Sequence, residues 1–162
     1  MTEVAVIPVV FVGKGKPGDY AWMRNQPGYE RAYFVFNDNE EQFLSHQKDP
    51  KSVDGCAPGA GNAAARPWQC ETPPRAGGVP TGAGADGGYQ ALTPQVKAII
   101  DRAIASIKAD VRQYGFDKVV YSTCTKGSSP NCTLDDDLGT GTFHPTEDVR
   151  SYIVSKLWNI SK

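Results

Sequence analysis

Glycine-rich stretches that follow short apolar runs are the part of this chain best suited to chemistry. They span residues 59–62, 79–88 and 138–142. Glycine loses the most conformational entropy on folding, so its enrichment near predicted strand ends indicates positive φ or a backbone that a ligand approaches closely. Loops with free, convergent amides bind anions. Each stretch alone fits an ordinary loop, but the three together favour a ligand that carries phosphate.

Acidic and amide side chains follow the second apolar run, at residues 37–41. The Asn39 amide could bond ribose hydroxyls, and Asp38 or Glu41 could act as a general base. The alternative is local, because Asn is typical of turns and Asp38 with Glu41 fits a capping box at a helix start. Asn39 and Asp38 are the catalytic candidates, with a water held between one of them and a ligand phosphate.

Arg66 is the cation expected at the phosphates, because a guanidinium donates to them in pairs. The alternative is a surface arginine stacked on Trp68. The three acids at 135–137 could bind Mg²⁺, but consecutive acids cannot all point one way, which favours a solvated loop and no metal site. His46 and His144 lack an acidic or cysteine partner at a recognisable spacing, so a catalytic triad is disfavoured.

Length and charge indicate one domain without a nucleic-acid or membrane partner. The chain has 162 residues and a formal net charge of -1, which suits a single domain over 1–162 and shows no basic surface for nucleic acid. Its N-terminus is apolar only over residues 4–12 and lacks the basic leader and cleavage site of a signal peptide. We therefore expect a cytoplasmic protein, and no cofactor is predicted.

The four cysteines match no zinc spacing and no redox Cys-x-x-Cys. They are Cys56, Cys70, Cys124 and Cys132. Most are expected to be reduced packing or loop residues. A disulfide between Cys124 and Cys132 is geometrically conceivable, but it would need an oxidising compartment.

Apolar periodicity predicts strands that alternate with helices. Strands are predicted at 4–12, 32–36, 76–79 and 116–122, and helices from about 39 to 46, 94 to 114 and 145 to 158. The clearest helix, 94–114, has Thr93 as N-cap and Gly115 as stop. This alternation predicts an α/β single-domain layered sandwich, with a mixed, mostly parallel sheet flanked by helices. Ligands bind outside the carboxyl ends of strands in such sheets, where the glycine loops fall.

The order of these features resembles that of the macro domain, the α/β module that binds ADP-ribose. The matching segments are residues 18–20, 36–39, 59–63 and 79–82. The resemblance covers most of the chain in order, with few identical residues. It implies that Asp19 binds adenine and that Asn39 faces the distal ribose.

Residues and resemblance together predict a site for ADP-ribose or a related NAD-derived nucleotide, which the protein binds and, through Asn39 and Asp38, could hydrolyse. The residues expected to bind the ligand are Asp19, Asn37, Gly59, Gly61, Asn62, Arg66, Thr81, Gly82, Gly139 and Gly141. One alternative is a protein-interaction or inhibitor module whose loop, residues 54–89, presents Trp68 and Tyr89 to a partner. Another is a nucleoside- or glycosyl-transferring enzyme with Asp38 or Glu41 as its carboxylate.

Overall fold

Four parallel strands form one sheet in the computed structural model, which describes residues 3–84 and 86–161; Ala85 of the second glycine-rich stretch and both chain ends lie outside the described residues. The strands are β1 (Ala5–Val10), β2 (Ala32–Asn39), β3 (Ala76–Gly82) and β4 (Lys118–Thr123), in the order β1-β4-β2-β3. Every strand pair is parallel. The predicted α/β class is confirmed, with a sheet more uniformly parallel than expected.

Helices flank this sheet. They are α1 (Tyr20–Met23), α2 (Glu40–Lys48), α3 (Val53–Cys56), α4 (Pro94–Tyr114) and α5 (Glu147–Trp158), together with 3₁₀ helices at Gly61–Cys70 and Asn159–Ser161. None of the described helices combines the length and the apolarity needed to cross a membrane.

Helix α4 forms as its sequence predicts. The Thr93 hydroxyl accepts from the Val96 amide at 3.2 Å, and Gly115 ends the helix with φ 69°, a conformation that favours glycine. One stripe of α4 is buried: Val96, Ile99, Ile100, Ala103, Ile104, Ile107 and Val111. Burial of a stripe at helical spacing holds α4 on the sheet.

The two faces of the sheet carry separate apolar clusters. One contains the α4 stripe, residues of α5 such as Ile153 and Leu157, and sheet residues such as Val35 and Val119. The other cluster packs α1 and the 3₁₀ helix Gly61–Cys70 against the opposite face of the sheet. The sheet is therefore the middle layer of three.

Helix α2 begins one residue later than predicted. Asn39, not Asp38, is the N-cap, and its Oδ1 accepts from the Gln42 amide at 2.8 Å. The predicted Asp38–Glu41 capping box was wrong, because Asp38 is a buried β2 residue that pairs with a distant arginine. Strand β1 is also shorter than predicted, and Pro8 lies on an edge strand, as its missing amide requires.

The segment from 49 to 88, which has almost no sequence periodicity, is largely structured. It contains α3, the 3₁₀ helix Gly61–Cys70 and β3, all seven of whose residues are buried. Glycine weakens the sequence signal for β3. In the fold, neighbouring side chains occupy the space that a larger residue would need at these positions. A Cβ on Gly78 would lie 2.7 Å from the Phe36 ring, and a Cβ on Gly77 would collide with the Tyr33 hydroxyl.

All four cysteines form disulfides, so the expectation of reduced thiols was wrong. Cys56 pairs with Cys70, and Cys124 with Cys132. The second pair is the one that the sequence made conceivable. Disulfides persist in oxidising environments, so they favour such a compartment over the predicted cytoplasmic location.

Replacing Ile100 by alanine tests the α4 contact. Ile100 is fully buried, so Ile100→Ala should lower the free energy of unfolding by about 2–5 kcal/mol through lost burial and the remaining cavity. Urea unfolding measures this. Lys97→Ala, on the exposed side of α4, is the control and should stay within about 0.5 kcal/mol of the parent; equal losses in both variants would contradict the packing.

Candidate functional site

A cleft of about 1000 Å³ opens at the carboxyl ends of all four strands. Its floor includes Val10 from β1, residues 37–39 from β2, Thr81 from β3, and Ser122 and Thr123 from β4. Parallel strands end at one edge of a sheet, and the loops that leave them enclose a crevice there. The sequence predicted this position.

The cleft brings together all the predicted site residues except Gly82. A Cβ on Gly82 would lie 2.7 Å from the Phe143 ring and 2.9 Å from the Gly88 Cα. The absent side chain therefore makes room for the protein itself. This gives Gly82 a structural reason other than the approach of a phosphate, and its predicted contact with a ligand stays a prediction.

The remaining predicted glycines divide into two kinds. A Cβ on Gly59 would lie 2.7 Å from the Arg66 Nη1, and one on Gly139 would lie 2.9 Å from the Thr123 carbonyl oxygen. These two glycines accommodate protein neighbours. By contrast, a Cβ on Gly61 or Gly141 would meet no described atom within 4 Å, so open space beside the cleft remains at those two positions.

Asn37 ties the two open glycine loops together. Its backbone amide donates to the Asn62 Oδ1 at 2.9 Å, and its side-chain Nδ2 donates to the Gly139 carbonyl at 2.8 Å. One residue of β2 thus fixes the loop that contains Gly61 relative to the loop that contains Gly141. Asn37 and Asn62 have these partners already, which makes them positioning residues.

A chain of hydrogen bonds continues from Asn62 across the floor. Its Nδ2 donates to the Ser122 hydroxyl at 3.1 Å, which donates to the Tyr20 oxygen at 3.2 Å. Tyr20 in turn donates to the Val35 carbonyl at 2.7 Å. A tyrosine hydroxyl is protonated at neutral pH, and burial raises the pKa of Tyr20 further, so this hydroxyl donates to the Val35 carbonyl across the neutral range.

Arg66 and Asp38 form an ion pair beneath the cleft. The guanidinium Nε and Nη2 donate to the Asp38 Oδ1 at 3.1 and 2.9 Å, while Nη1 donates to the Ala57 carbonyl at 3.0 Å. Both side chains are almost fully buried. Arg66 is therefore neither free to clamp a diphosphate nor stacked at the surface; Arg24 covers Trp68 instead.

Asp38 has one oxygen without a described partner. Its Oδ2 is buried and accepts no hydrogen bond from the described residues, and a Cβ on Gly78 would lie 2.6 Å from it. Burial raises the pKa of Asp38, against the opposing effect of the Arg66 charge. Arg66 is thus the group that allows a carboxylate to remain charged at this position.

Two cleft-lining segments have backbone amides that donate to none of the described residues. The first internal hydrogen bond of the 3₁₀ helix Gly61–Cys70 joins the Ala63 amide to the Ala60 carbonyl, and the N-cap Ala60 provides no side-chain acceptor. The amides of Gly61 and Asn62 therefore stay free. Those of residues 140–143, on the opposite loop, also donate to no described residue.

The polar side chains that remain carry little free charge. The charged cleft-lining residues among those described are Asp19, Asp38 and Arg66. Asp19 accepts from the amides of Gly15 at 2.8 Å and Ala21 at 3.3 Å, which makes it the N-cap of α1. An anion in the cleft would therefore meet amides and no unpaired described cation.

The features that supported the alternative functions have structural partners. Tyr89 is 6% exposed and its hydroxyl donates to Glu40, so it cannot anchor a partner protein. Glu41 accepts from the Gly84 amide and lies outside the cleft lining. Asp137, expected in a solvated loop, is instead fully buried and paired with Arg150 at 2.9 Å.

Some cleft residues were not predicted from the sequence. Ser122 lies near the carboxyl end of β4, so the rule that located Asn37 could have identified it. Tyr20 belongs to the segment 18–20 that resembles the macro domain, but it was not itself named as a site residue; Phe11 gave no signal, since an aromatic residue in an apolar run is typical of a core. Phe11 in particular was counted within the first apolar run, yet it is 59% exposed and lines the cleft.

In comparisons with known proteins, the chain matches no family model, no curated protein and no solved structure. The resemblance to the macro domain therefore stays a hypothesis, and the function has to be argued from the cleft.

Removing only the Arg66 cation should lower the free energy of unfolding more than removing both charges of the Arg66–Asp38 pair. Arg66→Met leaves an uncompensated carboxylate and should cost about 3–5 kcal/mol of unfolding free energy at neutral pH. The double variant Asp38→Asn/Arg66→Met should recover part of that loss. Urea unfolding of the single and double variants measures the difference.

The pH dependence of Arg66→Met provides the control. Burial raises the Asp38 pKa above its unfolded value, and without Arg66 only the hydrogen bond from the Asn39 amide opposes that shift. The folded variant then holds the Asp38 proton more tightly than the unfolded chain does, so its deficit should shrink as pH falls. A deficit that is independent of pH, with no recovery in the double variant, would show that the pair is not electrostatically coupled.

Proposed function

We propose that the cleft binds ADP-ribose or a closely related NAD-derived nucleotide, with the diphosphate between the loops that contain Gly61 and Gly141. The observation that carries this proposal is that two cleft-lining segments, which Asn37 joins, have backbone amides without a partner among the described residues. Amides at a helix start and in glycine loops are the usual protein ligands of phosphate oxygens.

Cleft size and position support a ligand of dinucleotide size. About 1000 Å³ lies at the upper end of the range typical of small-molecule sites. The carboxyl edge of a parallel sheet is where α/β proteins bind nucleotides. The macro-domain resemblance of segments 18–20, 36–39 and 59–63 is consistent with the same ligand class.

The charge of the cleft favours an internal diphosphate over a terminal phosphate. Arg66 is neutralised by Asp38, and Asp19 adds a further negative charge. A terminal phosphate group carries close to two negative charges at neutral pH, whereas an internal diphosphate spreads its two charges over two phosphorus centres. A site made of backbone amides, without a free cation among the described residues, accommodates the dispersed charge of an internal diphosphate better.

The contacts of the two catalytic candidates favour binding over hydrolysis. Asn39 uses its side chain to cap α2, and its Nδ2 also donates to Gln42. The Asp38 Oδ1 accepts from Arg66 and from the Asn39 amide, and its Oδ2 is buried. Neither side chain is positioned to activate a water. We therefore propose binding or sequestration as the activity.

Calorimetric titration with ADP-ribose tests the proposal, and Gly141→Val is its sharpest variant. Gly141 lines the cleft without positive φ, and a Cβ there meets no described atom within 4 Å. A valine should therefore fold normally but occupy the space beside the amides. We expect ADP-ribose binding to the parent, at least tenfold weaker binding to Gly141→Val, and an unchanged melting temperature.

Gly82→Ala is the matched control for a glycine that protein atoms surround. Its Cβ would press on Phe143 and Gly88, so it should destabilise the fold by about 1–3 kcal/mol through overpacking. Absence of ADP-ribose binding to the folded parent protein would refute the proposed function. Unchanged affinity in a well-folded Gly141→Val would exclude the amide loop from the site.

A further inference from the structure

Phe11 is an exposed aromatic residue on the rim of the cleft, directly after β1. The residue is 59% exposed, although it lines the same cleft as the glycine loops. The other described aromatic residues of the lining have protein partners. Tyr20 is buried, Trp68 is covered by Arg24, and Phe143 packs at Gly82. Phe11 alone among these presents a largely free ring.

The backbone that carries Phe11 is held in place by the neighbouring loop. A Cβ on Gly18 would lie 2.7 Å from the Phe11 Cα and would collide with the Val10 carbonyl oxygen. Gly18 has φ 97°, so the loop makes this close approach only because glycine occupies the position. The backbone at Phe11 is thus packed closely against the loop that contains Gly18.

We propose that Phe11 is the stacking platform for the planar base of the nucleotide, which places the base at the β1 end of the cleft. This inference rests on the proposed function. A ring with one free face binds a planar base through its π-face and through removal of apolar surface from water. The aromatic residues that follow the amide runs, Trp68 and Phe143, pack against Arg24 and Gly82, so the amide loops would receive the phosphates and leave the base to Phe11.

Four variants separate stacking from other roles. Phe11→Ala removes the ring, Phe11→Leu keeps an apolar side chain without a π-face, and Phe11→Tyr keeps the ring. Val12→Ala is the matched control, because Val12 is 62% exposed next to Phe11 but is not part of the cleft lining. Both positions, 11 and 12, are exposed, so melting temperatures should stay at the parent value.

Calorimetry with ADP-ribose should show about tenfold weaker binding for Phe11→Ala and Phe11→Leu, the loss typical of one removed base stack. Phe11→Tyr and Val12→Ala should stay within about twofold of the parent. The absorbance of the adenine ring should fall on binding to the parent and to Phe11→Tyr, and this hypochromic change should be lost in Phe11→Ala.

The possible outcomes distinguish a failure of the stacking role from a failure of the proposed nucleotide-binding function. If the parent protein binds ADP-ribose and Phe11→Ala or Phe11→Leu binds it with equal affinity, the stacking role is overturned and the proposed nucleotide site is retained. Parent protein that binds no ADP-ribose overturns both. Weak binding in Phe11→Tyr as well as Phe11→Ala also overturns the inference, because the ring would then have a role other than stacking.

Discussion

The common direction of the four strands is the constraint on which the rest of this molecule depends. Parallel pairing in the order β1-β4-β2-β3 brings every carboxyl end to one edge. Each connection between successive strands must then be a crossover, so both faces of the sheet become covered. The loops that follow the strands at this edge do not continue the sheet. They diverge from one another, and a cleft remains between them.

Polar groups at this edge are held by contacts between residues distant in sequence. Asn37 joins two loops, Asn62 reaches Ser122, and Arg66 crosses from the 3₁₀ helix to Asp38 on β2. Each contact uses a side chain that could otherwise have faced a ligand. The groups that remain open in the cleft are therefore mostly those of the backbone. The hydrogen bonds of the side chains below hold this backbone in position.

Local signals made part of this architecture predictable. Helix α4 has a capping residue, a glycine stop and a clean apolar stripe, so its bounds follow from short-range rules. The position of the cleft follows from strand ends alone. The roles of Gly59 and Gly82 did not follow, because a glycine beside a protein atom and a glycine beside a ligand look identical in sequence. The Arg66–Asp38 pair, 28 residues apart, requires knowledge of the fold.

The disulfide between Cys56 and Cys70 closes a covalent loop that contains every cleft-lining residue from 58 to 68. A cross-link of this kind restricts the unfolded chain and reduces the freedom that its enclosed loop has to lose. Most of the ordering of that wall is therefore completed during folding. The proposed ligand would therefore bind a preorganised surface, and its binding free energy would not be reduced by the entropy cost of ordering a free glycine-rich loop.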